Sequence, residues 1–202
     1  MDEGYIKFEL QWEKEVSLSD HDLVDLQLNR QLMYQKGFIG WDDTLGVGYG
    51  NISQRSPYRK SEFIISGTQT GELKALDSEH FCLVNDYDIQ TNRLWCKGPI
   101  KASSESMTHA AIYAASDRYH AVIHIHHRQM WEHYYNQLPT TDPSATYGTP
   151  EMARAIGEIA KHQDIPQTPI IIMGGHQDGI MVFGANLGQV ADTILEYYRV
   201  MN

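Results

Sequence analysis

Ala121-Val122-Ile123-His124-Ile125-His126-His127 combines small and β-branched residues with imidazoles, the composition of a buried strand that carries polar chemistry. Side chains alternate along a strand, so His124 and His126 share one face while Ile123, Ile125 and His127 take the other. Two imidazoles on one face can reach a single metal ion, whose bonds to nitrogen are ~2.0–2.1 Å. The same pair also reads as hydrogen-bonded core histidines, because bare imidazoles are costly to bury without partners. On these residues alone both readings stand.

Working outward on the N-terminal side, Lys101 to Tyr113 is a helix start. Met107, Ala110, Ala111 and Ala114 fall at helical spacing, and Ser103 or Ser104 is placed to cap the end. Hydroxyls and free N–H groups at a helix N-terminus suit an anion. Glu105 belongs to that first turn, where it either complements the helix dipole or is carried towards the histidine strand. His109, one turn on, is expected to pack.

On the C-terminal side, residues 128–144 are polar and aromatic, with Trp131, Tyr134 and Tyr135. Thr149-Pro150-Glu151 then opens a helix: threonine as N-cap, proline at the first position, glutamate in the first turn. Met152, Ile156, Ile159 and Ala160 supply its buried stripe. Pro169–Met173 and Ile180–Phe183 read as strands joined by the turn Gly174–Gly179, and Asn186–Met201 as a final amphipathic helix. His176 therefore sits at a tip between two strands, 50 residues beyond His126. A third imidazole from a separate loop is what a site with three protein ligands and one open position needs.

The first half reads less sharply. Residues 1–18 form a short strand or arm. A helix follows, with Ser19 or Asp20 as N-cap, Asp22 in the first turn, Leu23, Leu26, Leu32 and Met33 as its stripe, and Gly37 as the residue that ends it. Gly40–Ser53 holds four glycines with Asn51 and Ser53. It lacks the Gly-Lys-Ser/Thr of a phosphate-binding P-loop and opens no helix, and its plain reading is a glycine-rich turn. Glu62–Ser66 is a strand running into Gly67–Gly71, which reads as an anion-binding turn or as an ordinary one. Phe81–Val84 and Arg93–Lys97 are the strands of a hairpin turning near Ile89.

Composition bounds the functional classes. The chain of 202 residues is read as a single domain over 1–202, with 42% apolar and 21% charged residues. Sixteen basic against 26 acidic side chains leave a net charge of −10, which argues against a nucleic-acid partner. No apolar run approaches the ~20 residues of a membrane span. The start, Met1-Asp-Glu-Gly-Tyr5, is acidic and not a signal peptide. Cys82 and Cys96 could face each other across the hairpin, but free thiols in a reducing, cytoplasmic setting are the expectation.

Taken in order, Gly50-Asn51-Ile52-Ser53, Ser66-Gly67-Thr68, Ser103-Ser104-Glu105, His124-x-His126 and Gly175-His176 resemble the class II aldolase/adducin family, over roughly residues 20–200. The resemblance implies a three-layer α/β/α sandwich with a mostly antiparallel central sheet. It also implies a homotetramer with active sites at subunit interfaces, and a divalent metal, usually Zn2+, otherwise Mn2+ or Co2+. His124, His126 and His176 match the metal ligands, and Glu105 the acid/base. Asn51, Ser66, Gly67, Ser103 and Ser104 match the phosphate-binding positions. The implied activity is aldol cleavage of a small phosphorylated sugar through a metal-stabilised enediolate. A sugar-phosphate 4-epimerase or dehydratase, or a non-catalytic adducin-like assembly module, is the alternative; epimerases usually carry aspartate where Glu105 stands.

This chain departs from the family pattern in three places. His176-Gln177-Asp178-Gly179 is two residues longer before its glycine than the usual His-Gly. The segment between His126 and Tyr147 is shorter than in the fuculose phosphate enzymes, and the chain ends just after the last helix without a tyrosine-bearing tail. Tyr134, Tyr135 and Tyr147 are the candidates to replace those tyrosines. The aromatic 131–147 segment is also expected to be poorly covered in a single chain, a second motive for a tetramer.

Overall fold

The computed structural model describes residues 5–162 and 169–201, so Met1–Gly4 of the N-terminal arm, residues 163–168 and Asn202 lie outside the description. Eight strands join in one sheet in the order β1 (Glu9–Lys14), β7 (Arg93–Gly98), β6 (Phe81–Asp88), β5 (Phe63–Ser66), β4 (Asn51–Arg55), β8 (Ala121–His126), β10 (Gly179–Gly184) and β9 (Ile170–Ile172). Neighbouring pairs are antiparallel except β1 and β7, which run parallel, so the sheet is mixed. Helices α1 (Asp20–Gln35), α3 (Arg128–Tyr134) and α5 (Leu187–Met201) cover one face; α2 (Ser106–Ala115) and α4 (Pro150–Lys161) cover the other.

Strand alternation decides which layer each residue of β8 meets. Ile123 and Ile125 enter the core with α1 and α5, whereas Val122 enters the core with α2 and α4. His124 and His126 share the parity of Val122, so they emerge on the side that carries α2 and Glu105. The α4 helix shows why that layer holds. Thr149 Oγ1 accepts the Met152 N–H at 3.3 Å, Pro150 stands in the first turn, and Met152, Ala153, Ile156 and Ala160 are buried. Burying each such large aliphatic side chain stabilises the fold by roughly 1.5–3 kcal/mol. Ile159 lies only partly inside this stripe.

Two boundaries differ from the sequence reading. The α2 helix begins at Ser106 with Glu105 as its N-cap residue, not Ser103 or Ser104. Ser106 turns back onto the Ser103 carbonyl with both its N–H (3.1 Å) and its hydroxyl (2.7 Å), and that tight turn delays the helix. The glycine-rich stretch is more than a turn: β2 (Gly40–Asp42) and β3 (Val47–Tyr49) pair as a separate hairpin, with Gly46 at φ +65°.

Within 131–147, Tyr134 and Tyr147 are buried and Trp131 and Tyr135 partly so, against the expectation of an uncovered aromatic segment, while much of the rest of the segment is exposed. The indole N–H of Trp131 donates to the Met173 carbonyl at 3.0 Å, the Tyr134 hydroxyl to Tyr197 O at 2.8 Å, and Tyr147 is buried. These partners come from the β9–β10 turn and α5, which periodicity alone does not bring alongside. Cys82 and Cys96 are both buried free thiols. Among the described residues, no helix is long and apolar enough to cross a membrane.

Candidate functional site

Three imidazoles converge at the end of β8. Their ring nitrogens lie within 4.8 Å of one another, with His124 and His176 buried and His126 half-buried. His126 Nε2 stands 3.1 Å from His124 Nε2 and 2.7 Å from His176 Nε2. Backbone register explains how the third ring arrives. Gly179 is the cross-strand partner of His126, and a Cβ on it would sit 2.1 Å from His176 Cδ2. The missing side chain is the space into which His176 folds. The two extra residues of this turn are absorbed by Asp178 at φ +68° and by the Gly179 N–H donating to His176 O at 3.0 Å.

Electrostatics keep these rings neutral. Burial pushes His124 down to about 4, against the pull of the Ile180 carbonyl. Burial drives His126 well below the usual imidazole value, with His176 and His124 adding to it. His176 falls for the same leading reason, with His124 and Lys7 contributing. The Nδ1 of His124 lies 3.2 Å from Ile180 O; a carbonyl only accepts, so Nδ1 holds the hydrogen and Nε2 presents its lone pair to the cluster.

The donor set fits a metal. Bonds of ~2.0–2.1 Å in tetrahedral geometry put ligand nitrogens about 3.3 Å apart; here two pairs stand at 2.7 and 3.1 Å and all three nitrogens lie within 4.8 Å. His126 Nε2 carries at most one hydrogen, so it cannot make both contacts as full hydrogen bonds. A cation between the three nitrogens removes that conflict.

The cluster forms one wall of a cleft of about 400 Å³, measured with the solvent it opens onto. Loop Gly67–Gly71, Ser103, Ser104 and Asn51 line the same cleft. Asn51 is the cross-strand partner of His124, and its Oδ1 has no hydrogen-bond partner among the described residues. Of the predicted anion-binding set, Asn51, Gly67, Ser103 and Ser104 line the cleft. Ser66 does not; its hydroxyl accepts the Ile52 N–H at 3.2 Å and ties β5 to β4. Thr68, Gln69 and Thr70 line the cleft as well. They belong to the Gly67–Gly71 turn, for which the sequence allows either an anion site or an ordinary turn.

Glu105 also lines the cleft, although it is not a member of the three-histidine cluster. It is buried, and its Oε2 accepts from Thr108 Oγ1 at 3.0 Å, one turn along α2. His109 packs, as expected: it is buried, with Nδ1 2.7 Å from Ser53 Oγ, which is itself 2.7 Å from the Tyr113 hydroxyl. Burial first, and then His124, holds His109 well below the usual imidazole range.

Two tyrosines flank the imidazoles. The Tyr147 ring lies 4.7 Å from that of His176, and Lys7 Nζ sits over the Tyr147 ring, 4.1 Å from its centroid. The Tyr49 ring lies 5.4 Å from His126. Tyr147 was among the sequence candidates; Tyr134 and Tyr135 do not line the cleft. Tyr49 was missed, since nothing in the sequence indicates that the β2–β3 hairpin folds towards the histidines.

Residues 31–131 match the Class II Aldolase and Adducin N-terminal domain. No curated protein matches the chain in sequence. Several solved structures share its fold. A sugar-phosphate aldolase from Thermotoga maritima has a TM-score of 0.68 at 15% identity, covering 90% of this chain and 92% of that one. An L-fuculose 1-phosphate aldolase has a TM-score of 0.66 at 19% identity, covering 92% and 84%. YgbL from Klebsiella pneumoniae, a candidate aldolase, epimerase or decarboxylase, has a TM-score of 0.65 at 16% identity, covering 91% and 88%. At such identities the likeness is one of fold.

Proposed function

Since the chain belongs to the class II aldolase and adducin family, we propose that it is a divalent-metal-dependent aldolase cleaving a small phosphorylated sugar. One observation carries the reading: neutral imidazoles, a buried carboxylate and a wall of hydroxyls and backbone groups face a single cleft. His124, His126 and His176 would hold the metal; an all-nitrogen set suits Zn2+, with Mn2+ or Co2+ as substitutes. When bound, the metal supplies Lewis acidity towards a sugar carbonyl.

The chain's own residues do the rest. Glu105 moves the proton at the reacting carbon, and the Thr108 hydroxyl orients its carboxylate. Asn51, Gly67, Ser103 and Ser104 bind the phosphate, while Ser66 keeps β4 and β5 in register behind them. Burial of the cleft floor excludes water and strengthens each of these contacts. The free thiols of Cys82 and Cys96 agree with a cytoplasmic setting.

The test is metal analysis of the purified protein, followed by a screen of phosphorylated ketoses for aldehyde release. An isomerised or dehydrated product in place of aldehyde would move the assignment to the epimerase or dehydratase reading. Glu105→Gln keeps the shape and removes the base, so turnover should fall by ~10²–10⁴ with metal content unchanged. Wild-type turnover in that variant overturns the role of Glu105. We further take the enzyme to be a homotetramer, as the family implies. Light scattering should return four times the mass of one chain, and a stable monomer at micromolar concentration rejects it.

A further inference from the structure

Among the described residues no lysine or arginine lines the cleft, whereas the acidic Glu105 does; Lys7 Nζ stands outside the lining, over the Tyr147 ring. A phosphorylated ligand would thus meet neutral donors at its phosphate and a carboxylate nearby. One cation, however, lies directly behind the anion wall. Arg30 projects from α1, is 1% exposed, and spends its guanidinium on carbonyls of the loop. Its Nη2 donates to Thr70 O at 2.8 Å and Gly71 O at 3.0 Å, and its Nη1 to Leu73 O and, at 3.3 Å, to Lys74 O. Among the described residues it has no carboxylate partner, only the Tyr34 ring 4.8 Å away. Burial lowers it to about 10, which leaves it charged at neutral pH.

The carbonyls Arg30 takes up orient the peptides that face the cleft. All peptide bonds among the described residues are trans. A trans peptide directs its N–H opposite to its C=O, so binding Thr70 O turns the Gly71 N–H away from Arg30. The N–H groups of Gln69, Thr70 and Gly71 donate to no backbone acceptor among the described residues. Gln69 at φ +58° supplies the left-handed step that gathers successive N–H groups on one side. Arg55, the other buried arginine, provides the contrast. It binds Tyr113 O and Ser116 O at the C-terminal end of α2, where the helix dipole already offsets its charge, and it does not line the cleft.

We propose that Arg30 is a positioning residue for anionic substrates, fixing loop Gly67–Gly71 from behind and lending the cradle the positive charge its lining lacks. The inference rests on the phosphorylated-substrate reading above. It makes the ligand a dianionic phosphate rather than a neutral sugar, and it predicts an effect on affinity, not on metal binding or on the chemical step.

The probe is inorganic phosphate, titrated calorimetrically into metal-loaded protein. Wild type should bind it. Arg30→Gln keeps hydrogen-bond donors but no charge, and should weaken phosphate binding about tenfold, the size of one partly screened charge interaction. Arg30→Lys keeps the charge and loses the fork, and should weaken it about threefold. Both should retain the wild-type metal stoichiometry, and on a confirmed substrate raise KM with kcat unchanged. A folded Arg30→Gln that binds phosphate as tightly as wild type overturns the proposal. If that variant does not fold, Arg30→Lys decides, and wild-type phosphate affinity in it overturns the proposal equally. Failure of metal-loaded wild type to bind phosphate at all removes the phosphorylated-substrate reading itself, and this inference with it.

Discussion

The two walls of the cleft are built on different principles. The imidazole wall consists of side chains on or beside paired strands, held by ladder register and by one glycine that makes room for a ring. The loop wall consists mostly of backbone and short hydroxyls, with a buried arginine bonded to its Thr70 and Gly71 carbonyls and glycines pressed together. Sheet-borne side chains give a rigid, fixed geometry suited to a metal. Loop-borne N–H groups give a surface that shapes itself around an anion, but only as well as its supports allow. A substitution on the first wall should therefore remove a function outright, and one on the second should grade it.

The largest effect is expected from the first wall. His124→Ala/His126→Ala should take bound zinc from one per chain to none, read by atomic emission on dialysed protein. Full metal content in that double variant would sink the imidazole site and the contrast with it. Acid offers a second way to break it. Unfolded histidines bind protons below about 6.5, whereas His124 in the fold resists until about 4. The unfolded state therefore holds more protons across that window, and metal-free protein should lose stability as pH falls through it. The slope is roughly 1.4 kcal/mol per pH unit for each such histidine. Denaturant titrations at pH 6.5 and 4.5 measure it, and equal stabilities would contradict the burial of neutral rings.

Smaller, graded losses are expected on the second wall. A Cβ on Gly71 would lie 2.2 Å from Gly40 O and 2.6 Å from Gly48 Cα, both backbone, so Gly71→Ala must displace the loop or the hairpin. It should lower phosphate affinity more than Ser103→Ala or Ser104→Ala. Each serine variant should cost ~1–3 kcal/mol in preference for phosphorylated over unphosphorylated sugar. In all three the zinc stoichiometry should stay at the wild-type value. Loss of zinc from Gly71→Ala would mean that the walls are one mechanical unit.

Legibility in the sequence follows the same division. The His-x-His pair was readable because strand parity is local, and Thr149-Pro150 announced α4 because a cap and a fixed φ are local. The sequence places the α2 cap one or two positions early, because Ser106 bonds back to Ser103 and no propensity scale registers that turn. Ser66 was assigned to the anion and instead ties two strands, since its side of β5 depends on the pairing with β4. The aromatic segment looked uncovered because its partners, the Met173 carbonyl and α5, lie 42 and 63 residues further on.

From the sequence by itself come the parity of His124 and His126, the turn position of His176, the Thr149 cap of α4 and the acidic charge balance. All of these follow from covalent backbone geometry and composition within a few residues. Only the tertiary structure decided that His176 enters the space left by Gly179, that Tyr49 reaches His126, and that Arg30 stands behind Thr70 and Gly71. Those contacts join segments tens of residues apart. They are set by which faces bury against one another and by where a glycine leaves room, and short-range periodicity carries neither piece of information.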